Sequence, residues 1–413
     1  MNILFLSPRP CWPLRSGARL REYHLLRALG KLGDLSYLYF TDPGTDPLTR
    51  KELPFCHQVT SVPKPPAYSG MQIIRGLVGR LPLPILNYTN DAMLSAVDLA
   101  VRSRAYDLVH LDSIHMIRYA EAGLRSAQGR PRVVYNWHNI ESEAMRRYSA
   151  SVESPAKRWY AAQTARKLEA LEHDILHSAF GHIVCSERER IQLRQVAPGA
   201  RIEVVENGVD TARFANPEGH GEEGHGGEKA DAARFVFVGT MDYFPNVDAA
   251  VFFVESVWPE VRKRLPSATL AIVGANPTAA VRALAQVPGI TVTGTVPDVL
   301  PYYSQATAAI VPLRTGGGTR LKILEAMAAG VPVVSSPLGA EGLAVTDGKE
   351  ILLVDEIRHW ATKLVELAAS RPLAERLRAA GLELVQSRYD WNMLGETLSR
   401  TYRRWLEEAA KAR

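Results

Sequence analysis

The chain has 413 residues and a mass of 45.6 kDa, enough for two or three domains with sizeable cores and no need of disulfides. At 46% hydrophobic and 23% charged residues its composition is that of a globular protein, which excludes disordered and collagen-like classes; no run approaches the ~18 apolar residues of a membrane span. The net charge of +5 is unevenly held: residues 1–205 carry 27 Lys and Arg against 19 Asp and Glu, the remainder 22 against 25. A basic amino half expects an anionic partner (a phosphorylated small molecule, a lipid headgroup or a nucleic acid) or is a solvated arginine-rich surface.

The start, MNILFLSPRP, lacks the basic region of a secretory signal. NILFLS (2–7) is a short apolar run of the kind that forms a buried parallel strand. A loop through Ser16 and Gly17 follows. Leu20, Tyr23, Leu26, Ala28 and Leu29 then recur at helical spacing, with Gly33 closing the helix. Strands are expected at 35–40, 107–111, 132–137, 182–186 and 202–206, with a long charged helix at 155–178. Alternating strands and helices mean a parallel sheet covered on both faces. Between the early strands, Tyr68 to Leu86 mixes Met71, Ile73, Ile74, Leu77, Val78, Leu81 and Leu83 with Arg75 and Arg80. It reads either as a surface that docks on anionic lipid or as a buried or cleft-lining helix. Cys11, Cys56 and Cys185 suit neither a disulfide framework nor a zinc site, so a reducing cytosol is the expected compartment.

Near residue 207 the texture changes. Asn207-Gly208 is a turn signal, and 216–233 is rich in Gly, Glu and His. His220 and His225 lack neighbours that would fix a coordination geometry, so this segment reads as linker or surface loop. A second α/β series follows, with strands at 234–240, 268–274, 290–294, 308–313, 331–336 and 351–354 and helices at 247–264, 278–286, 298–305, 319–329 and 356–370. The tail, 390–411, is an amphipathic helix. The expected division is an amino-terminal domain 1–207, a linker 208–233, a carboxyl-terminal domain 234–388, and a closing helix 389–413 packed back on the first domain. Ligands of doubly wound sheets bind at the carboxyl ends of strands, so the loops there are where function is sought.

The segment AAIVPLRTGGGTRLKILEAMAAGVPVVSS (308–336) reads as strand, glycine turn, helix, strand. Gly316, Gly317 and Gly318 allow close backbone approach, and Thr319 is an N-cap candidate. A helix start here offers N–H groups and positive potential to an anion. Arg320 and Lys322 oppose the helix dipole by roughly 0.3–1 kcal/mol each unless an anion sits between them and the backbone; the alternative is that both point into water. Leu321, Leu324 and Ala328 take the core-facing stripe. Glu325, three residues after Lys322, either pairs with it or hydrogen-bonds sugar hydroxyls. The Walker pattern is absent. A dinucleotide fingerprint fails because position 321 is Leu and strand 331–336 ends in Ser335-Ser336. A nucleotide-sugar site fits best.

GGGTRLKILEAMAAGVPVVSS resembles the nucleotide-binding segment of the family 4 glycosyltransferases, whose fold is GT-B: two doubly wound Rossmann-like α/β domains facing across a cleft. ENGVD (206–210), FVGTMDYFPN (237–246), IVGANP (272–277), GTVPDVLPYYSQA (294–306) and the Ser16-Gly17 loop fall in the right order. The resemblance implies Glu325 on the ribose hydroxyls of the donor, and Gly316, Gly318 and Thr319 beside its diphosphate. It places the base against backbone near Val296. It sets Gly17 near the donor phosphate and acceptor, and His138 near the transferred sugar. Asn139 and Glu141 follow His138, while His110 and His115 flank Asp112 as secondary acceptor-side candidates. The chain departs from the family at three places. The family's first glutamate would fall at Gly317, and its diphosphate-binding Arg and Lys at Thr240 and Asn246, which are uncharged. Arg320 and Lys322 are then expected to supply the charge from the opposite wall.

The implied activity is a retaining hexosyl transfer from a nucleotide-diphosphate sugar to a hydroxyl acceptor, in polysaccharide, exopolysaccharide or glycolipid assembly. The acceptor is a carbohydrate or is lipid-linked. His138, Gly317, Arg320 and Lys322 form the reacting end of the site. With no glutamate at 317, same-face attack is expected, the leaving phosphate taking the acceptor's proton. Fixed cations leave no metal or other cofactor required, and no Asp-x-Asp motif is present. The expected setting is cytoplasmic, with a candidate peripheral contact at the inner, anionic membrane face; no aromatic-basic motif supports nucleic acid. The competing readings are a nucleotide-sugar epimerase or hydrolase on the same fold, and a binding-only relative.

Overall fold

The computed structural model describes residues 1–14, 16–42, 44–65, 69–120, 131–215, 232–316 and 321–411. They form two compact units, Met1–Glu206 with Leu394–Arg413, and Asn207–Met393.

The first unit holds seven parallel strands: β1 (Asn2–Ser7), β2 (Asp34–Thr41), β3 (Gln58–Pro63), β4 (Leu108–Asp112), β5 (Arg132–Asn136), β6 (Gly181–Val184) and β7 (Ile202–Val204). Their order is β3-β2-β1-β4-β5-β6-β7. The apolar runs that announced β1, β2 and β4 are buried on both faces, as a helix-covered parallel sheet requires. The chain leaves β1 toward β2 and β3, then crosses to β4, so the carboxyl ends of β1 and β4 flank a topological switch point. Ser7 and Asp112 stand there, both fully buried. The first helix, Gly17–Gly30, is N-capped by Ser16, whose side chain accepts from Arg19 N. It stops at Gly30 rather than Gly33. Gly33 serves a close approach instead, since a Cβ there would stand 2.0 Å from Met1 O.

The second unit holds six parallel strands: β8 (Arg234–Val238), β9 (Thr269–Val273), β10 (Ile290–Val292), β11 (Ala308–Val311), β12 (Val333–Ser335) and β13 (Leu352–Leu353). Their order, β10-β9-β8-β11-β12-β13, puts a second switch point between β8 and β11. The helix expected at 247–264 is two helices, Phe244–Ser256 and Trp258–Arg264, which meet at Val257. Pro259 explains the break, because it cannot donate into the preceding turn.

The linker expected at 208–233 is in part core. Val209 and Phe214 are buried in the second unit, and Val209 N donates to Tyr389 O at 2.8 Å. Residues 216–231, with His220 and His225, lie outside the described residues. The closing helix Trp391–Lys411 belongs to the first unit from residue 394 onward. There Tyr402 Oη lies 2.6 Å from His110 Nδ1, and Trp405 covers Gly181 so closely that a Cβ would meet its ring at 2.4 Å.

Of the stretch Tyr68 to Leu86, residue 68 lies outside the described residues. The rest forms helices Gly70–Val78 and Leu83–Asn87. The first is not buried: Met71, Ile73, Ile74, Leu77 and Val78 are all exposed, Val78 to 85%. No described helix is long and apolar enough to cross a membrane.

Candidate functional site

At the switch point of the second unit, the glycines after β8 and β9 pack backbone on backbone. Gly239 N donates to Val273 O at 3.0 Å, and a Cβ on Gly274 (φ +153°) would stand 1.7 Å from Gly239 O. The loop then turns through the exposed Thr240, and Asn246 enters the helix Phe244–Ser256 buried. Its Nδ2 donates to Thr240 O at 2.9 Å. Lys322 reaches this loop from the helix Leu321–Ala328, which follows β11. Its Nζ donates to Asn246 Oδ1 at 2.7 Å and lies 4.6 Å over the Phe237 ring. A Cβ at Gly239 would come within 3.0 Å of that Nζ. The ammonium therefore stands at the carboxyl end of β8, beside both uncharged positions.

Gly316 has φ +102°, a left-handed conformation that favours glycine, where the chain leaves the strand. Gly317, Gly318, Thr319 and Arg320 lie outside the described residues. The helix Leu321–Ala328 buries more than the expected stripe. Ile323, Ala326 and Met327 are buried along with Leu324 and Ala328, because helix Arg371–Leu384 and the turn Val385–Tyr389 cover it as well as the sheet. Glu325 keeps one side open. Burial pushes its carboxyl up to about 7, against the pull of Arg213 and Lys322, while Asp298 adds to the rise. Arg213 Nη2 donates to Asp298 Oδ1 at 3.0 Å, and Asp298 in turn caps Leu300 N at 3.1 Å. Tyr303 Oη donates to Lys322 O at 3.2 Å. Val296, two residues after Gly294 (φ +69°), packs half-buried against the core.

Two side chains not singled out from the sequence complete this end of the unit. Arg314, just after β11, holds Asp248 on the helix Phe244–Ser256 through Nε at 3.1 Å and Nη2 at 2.5 Å, and its guanidinium lies 4.3 Å over Phe252. The fork ties the loop after β11 to the helix that follows β8.

In the first unit the corresponding strand ends gather a buried polar cluster. His138 follows β5, and its Nε2 lies 3.0 and 2.9 Å from the two oxygens of Asp112 at the end of β4. Asn136 Nδ2 donates to Asp112 Oδ1 at 2.7 Å. Arg21 and Glu22, on the first helix, are fully buried. Burial and then the charge of Asp112 push the Glu22 carboxyl well above the usual range, against Arg9. Tyr37 Oη donates to Glu22 Oε1 at 2.6 Å. Gly17, exposed, opens the same helix. Glu141, also pushed up to about 7 by burial and then Glu172, begins the helix after His138. His110 and His115 are otherwise occupied. His110 stacks on Phe5 with centroids 4.3 Å apart, and burial holds it down to about 3. His115 meets Ser113 Oγ at 2.7 Å, and burial holds it down to about 4. Among the described residues no three His, Cys, Asp or Glu side chains gather as a metal cage.

The sequence matches Glycosyltransferase Family 4 over residues 16–213 and Glycosyl transferases group 1 over residues 232–370, one match per sheet. The chain belongs to glycosyltransferase family 4. Its structure matches sucrose-phosphate synthase from Thermosynechococcus elongatus with a TM-score of 0.70 at 20% identity, over 99% of this chain and 100% of that one. The Anabaena protein HepE, solved with UDP and glucose, matches with a TM-score of 0.67 at 16% identity over 97% and 99%. These likenesses show the GT-B fold. Among curated relatives, the GDP-mannose-dependent alpha-(1-6)-phosphatidylinositol monomannoside mannosyltransferase of Mycobacterium tuberculosis is 31% identical over 49% of this chain and 56% of its own length. Glycogen synthase of the same organism is 25% identical over 59% of each. The chain thus spans little more than half the length of the curated relatives it matches. In this family 4 glycosyltransferase the cation beside Asn246, Lys322, sits on the helix that also bears Glu325, and residues 239–246 after β8 include no Lys or Arg.

Proposed function

We propose that this family 4 glycosyltransferase moves a hexose from a nucleotide-diphosphate sugar to a hydroxyl acceptor with retention of anomeric configuration. The observation that carries the reading is the placement of Lys322 Nζ against Asn246 Oδ1, one helical turn from Glu325, at the carboxyl ends of β8 and β11. Cleaving the anomeric carbon–phosphate oxygen bond leaves negative charge on the diphosphate, and a fixed cation at a switch point stabilises it. Arg320 and the backbone of Gly316 to Thr319 are assigned to the same diphosphate, Glu325 to the ribose hydroxyls, Val296 to the base, Gly17 to the donor phosphate and acceptor, and His138 to the transferred sugar. Since residue 317 is Gly, no carboxylate is assigned as nucleophile. The acceptor oxygen attacks the face the diphosphate leaves, and the departing phosphate oxygen takes the acceptor's proton. The cations are side chains, so the reaction is assigned no metal.

The acceptor we favour is lipid-linked, and the helix Gly70–Val78 is the face we assign to an anionic membrane on the cytoplasmic side. Its exposed apolar residues and Arg75, with Arg80 just beyond its end, support that assignment.

The test begins with thermal shifts in UDP, GDP, ADP and TDP, since a preferred nucleotide raises the melting temperature by mass action. Transfer is then measured with the matching sugar donor, GDP-mannose and UDP-glucose included, to lipid-linked and free sugars, with the product anomer read by NMR and EDTA in parallel. Transfer with retention, unaffected by EDTA, is expected. Donor binding without transfer points to a binding-only relative, and donor turnover without acceptor to a hydrolase or epimerase; either overturns the proposal.

A further inference from the structure

His138 has two ring nitrogens, and its buried neighbours decide which one carries hydrogen. Arg21, fully buried, can only donate. Its Nε and Nη2 lie 3.3 and 2.8 Å from Asn136 Oδ1, which fixes that atom as the acceptor end of the amide. Asn136 Nδ2 must then face the other way, and it donates to Asp112 Oδ1 at 2.7 Å. Asp112 is fully buried. Burial alone would raise its carboxyl, yet the charge and hydrogen bond of His138, with Arg9, hold it well below the usual carboxylate range, so it only accepts. His138 Nε2 stands 3.0 and 2.9 Å from its two oxygens and must carry hydrogen whether the ring is neutral or charged. The other nitrogen, Nδ1, has no hydrogen-bond partner among the described residues.

We propose that Arg21, Asn136 and Asp112 form a relay of fixed donor and acceptor polarity that holds His138 in its Nε2–H form, with Asp112 as positioning residue and Nδ1 as the atom presented to the substrate. The substrate half rests on the glycosyl-transfer reading; the tautomer half does not. Arg21 also donates through Nη1 to Val205 O at 2.7 Å and Glu206 O at 3.2 Å, so the relay starts from a guanidinium pinned to backbone beyond β7. In this arrangement neutral His138 offers an acceptor to a sugar hydroxyl, and the charged ring offers a donor from the same atom.

The decisive variant is Asp112→Asn. Asn136 Nδ2 keeps the new amide's oxygen at the Oδ1 place, so its NH2 falls where Oδ2 stood, against His138 Nε2. The new N–H points at Nε2 from the nearer of its two partners, which favours an accepting Nε2, and the ring is expected to shift to its Nδ1–H form. The full chain labelled with 15N-histidine reads this by long-range proton–nitrogen correlations, with His138→Gln assigning the signals. The wild type is expected to show the Nε2–H form and Asp112→Asn the Nδ1–H form. With the wrong tautomer, kcat for transfer should fall about tenfold or more while the donor KM stays within about twofold. An Nδ1–H signal in the wild type overturns the proposal without any variant, so it stays testable if Asp112→Asn does not fold. An unchanged tautomer in a folded Asp112→Asn also overturns it. A shifted tautomer with unchanged kcat overturns the substrate role of Nδ1. The spectra stand even if the protein transfers no sugar, which separates this failure from that of the functional reading.

Discussion

Lys322 and Asn246 stand 2.7 Å apart although they lie 76 positions apart in sequence, so the lysine sets a positive charge beside position 246, which carries none. The ammonium makes a hydrogen bond that a diphosphate oxygen can take over. A charge-assisted hydrogen bond contributes about 1.5–3 kcal/mol, so Lys322→Ala should weaken binding of the preferred nucleoside diphosphate roughly 10- to 100-fold in calorimetry. The exchange variant Lys322→Asn with Asn246→Lys should recover most of what Lys322→Asn alone loses. Unaltered affinity in Lys322→Ala would remove the lysine from the site.

Two glycines one strand apart should respond differently to the same added methyl group. At Gly274 a Cβ would stand 1.7 Å from backbone at Gly239, and φ is +153°. Neither constraint can relax without moving β8 against β9. Gly274→Ala should therefore lower the melting temperature strongly or prevent folding. At Gly239 the three atoms nearest the Cβ belong to side chains, Asn246 Nδ2 at 2.7 Å and Cγ at 2.9 Å and Lys322 Nζ at 3.0 Å. Gly239→Ala should fold, with a small melting shift and weakened nucleotide binding as the Lys322–Asn246 pair is pushed aside. Equal melting shifts for the two variants would contradict the contrast.

How far the sequence carries the structure depends on what each feature leaves on the chain. Twelve of the thirteen strands announce themselves as apolar runs, because a parallel sheet covered on both faces leaves them no polar alternation. The exception is β3, QVTSVP, which pairs only with β2. As an edge strand it is largely unburied and ends in Pro63, so it carries neither the apolar run nor a clear period. The GGGTRLK segment stands out in the sequence because glycines and cations together are unusual ahead of an apolar helical run. The relay behind His138 leaves no such mark. Arg21 and Glu22 look like the solvated face of an amphipathic helix, and only the fold brings residue 21 to residues 136 and 205. The Arg314–Asp248 fork is hidden for the same reason: 66 residues separate its partners.

Glu325 gives a pH test with a definite sign. Its carboxyl is raised to about 7 in the folded chain, from about 4.3 in an unfolded one, so the folded state holds the proton more tightly. Its contribution to stability is then fullest below the unfolded value and is lost as pH rises through about 7. Glu325→Gln removes that loss. The melting temperature of the variant relative to wild type should climb between pH 4.5 and pH 8. Glu141, also raised to about 7, titrates over the same range in both proteins and cancels in the difference. A difference that stays flat with pH would show that Glu325 is not the group responsible.

The helix Gly70–Val78 is built to hold its shape without cover. Ser69 and Gln72 form a reciprocal capping box, and Lys167 Nζ donates to Gly76 O at 2.6 Å and Leu77 O at 2.9 Å at the other end. Gly76 lets it lie close on Leu83, while Met71, Ile74 and Val78 point away, exposed to 59%, 58% and 85%. No acidic residue occurs from 53 to 90, a stretch that contains Lys64, Arg75 and Arg80. An apolar face on a stretch whose charges are all cations fits an anionic bilayer better than a second protein copy, which would bring like charges together. Co-sedimentation should show binding to vesicles containing phosphatidylglycerol and little to pure phosphatidylcholine. Ile74→Glu with Val78→Glu should cut that binding about fivefold or more, with an unchanged melting temperature, since the face carries no core packing. Raising salt should weaken the wild-type interaction without abolishing it, because the apolar part is not screened. Equal binding to neutral vesicles, or a dimer in solution that the two glutamates break, would assign the helix to another partner.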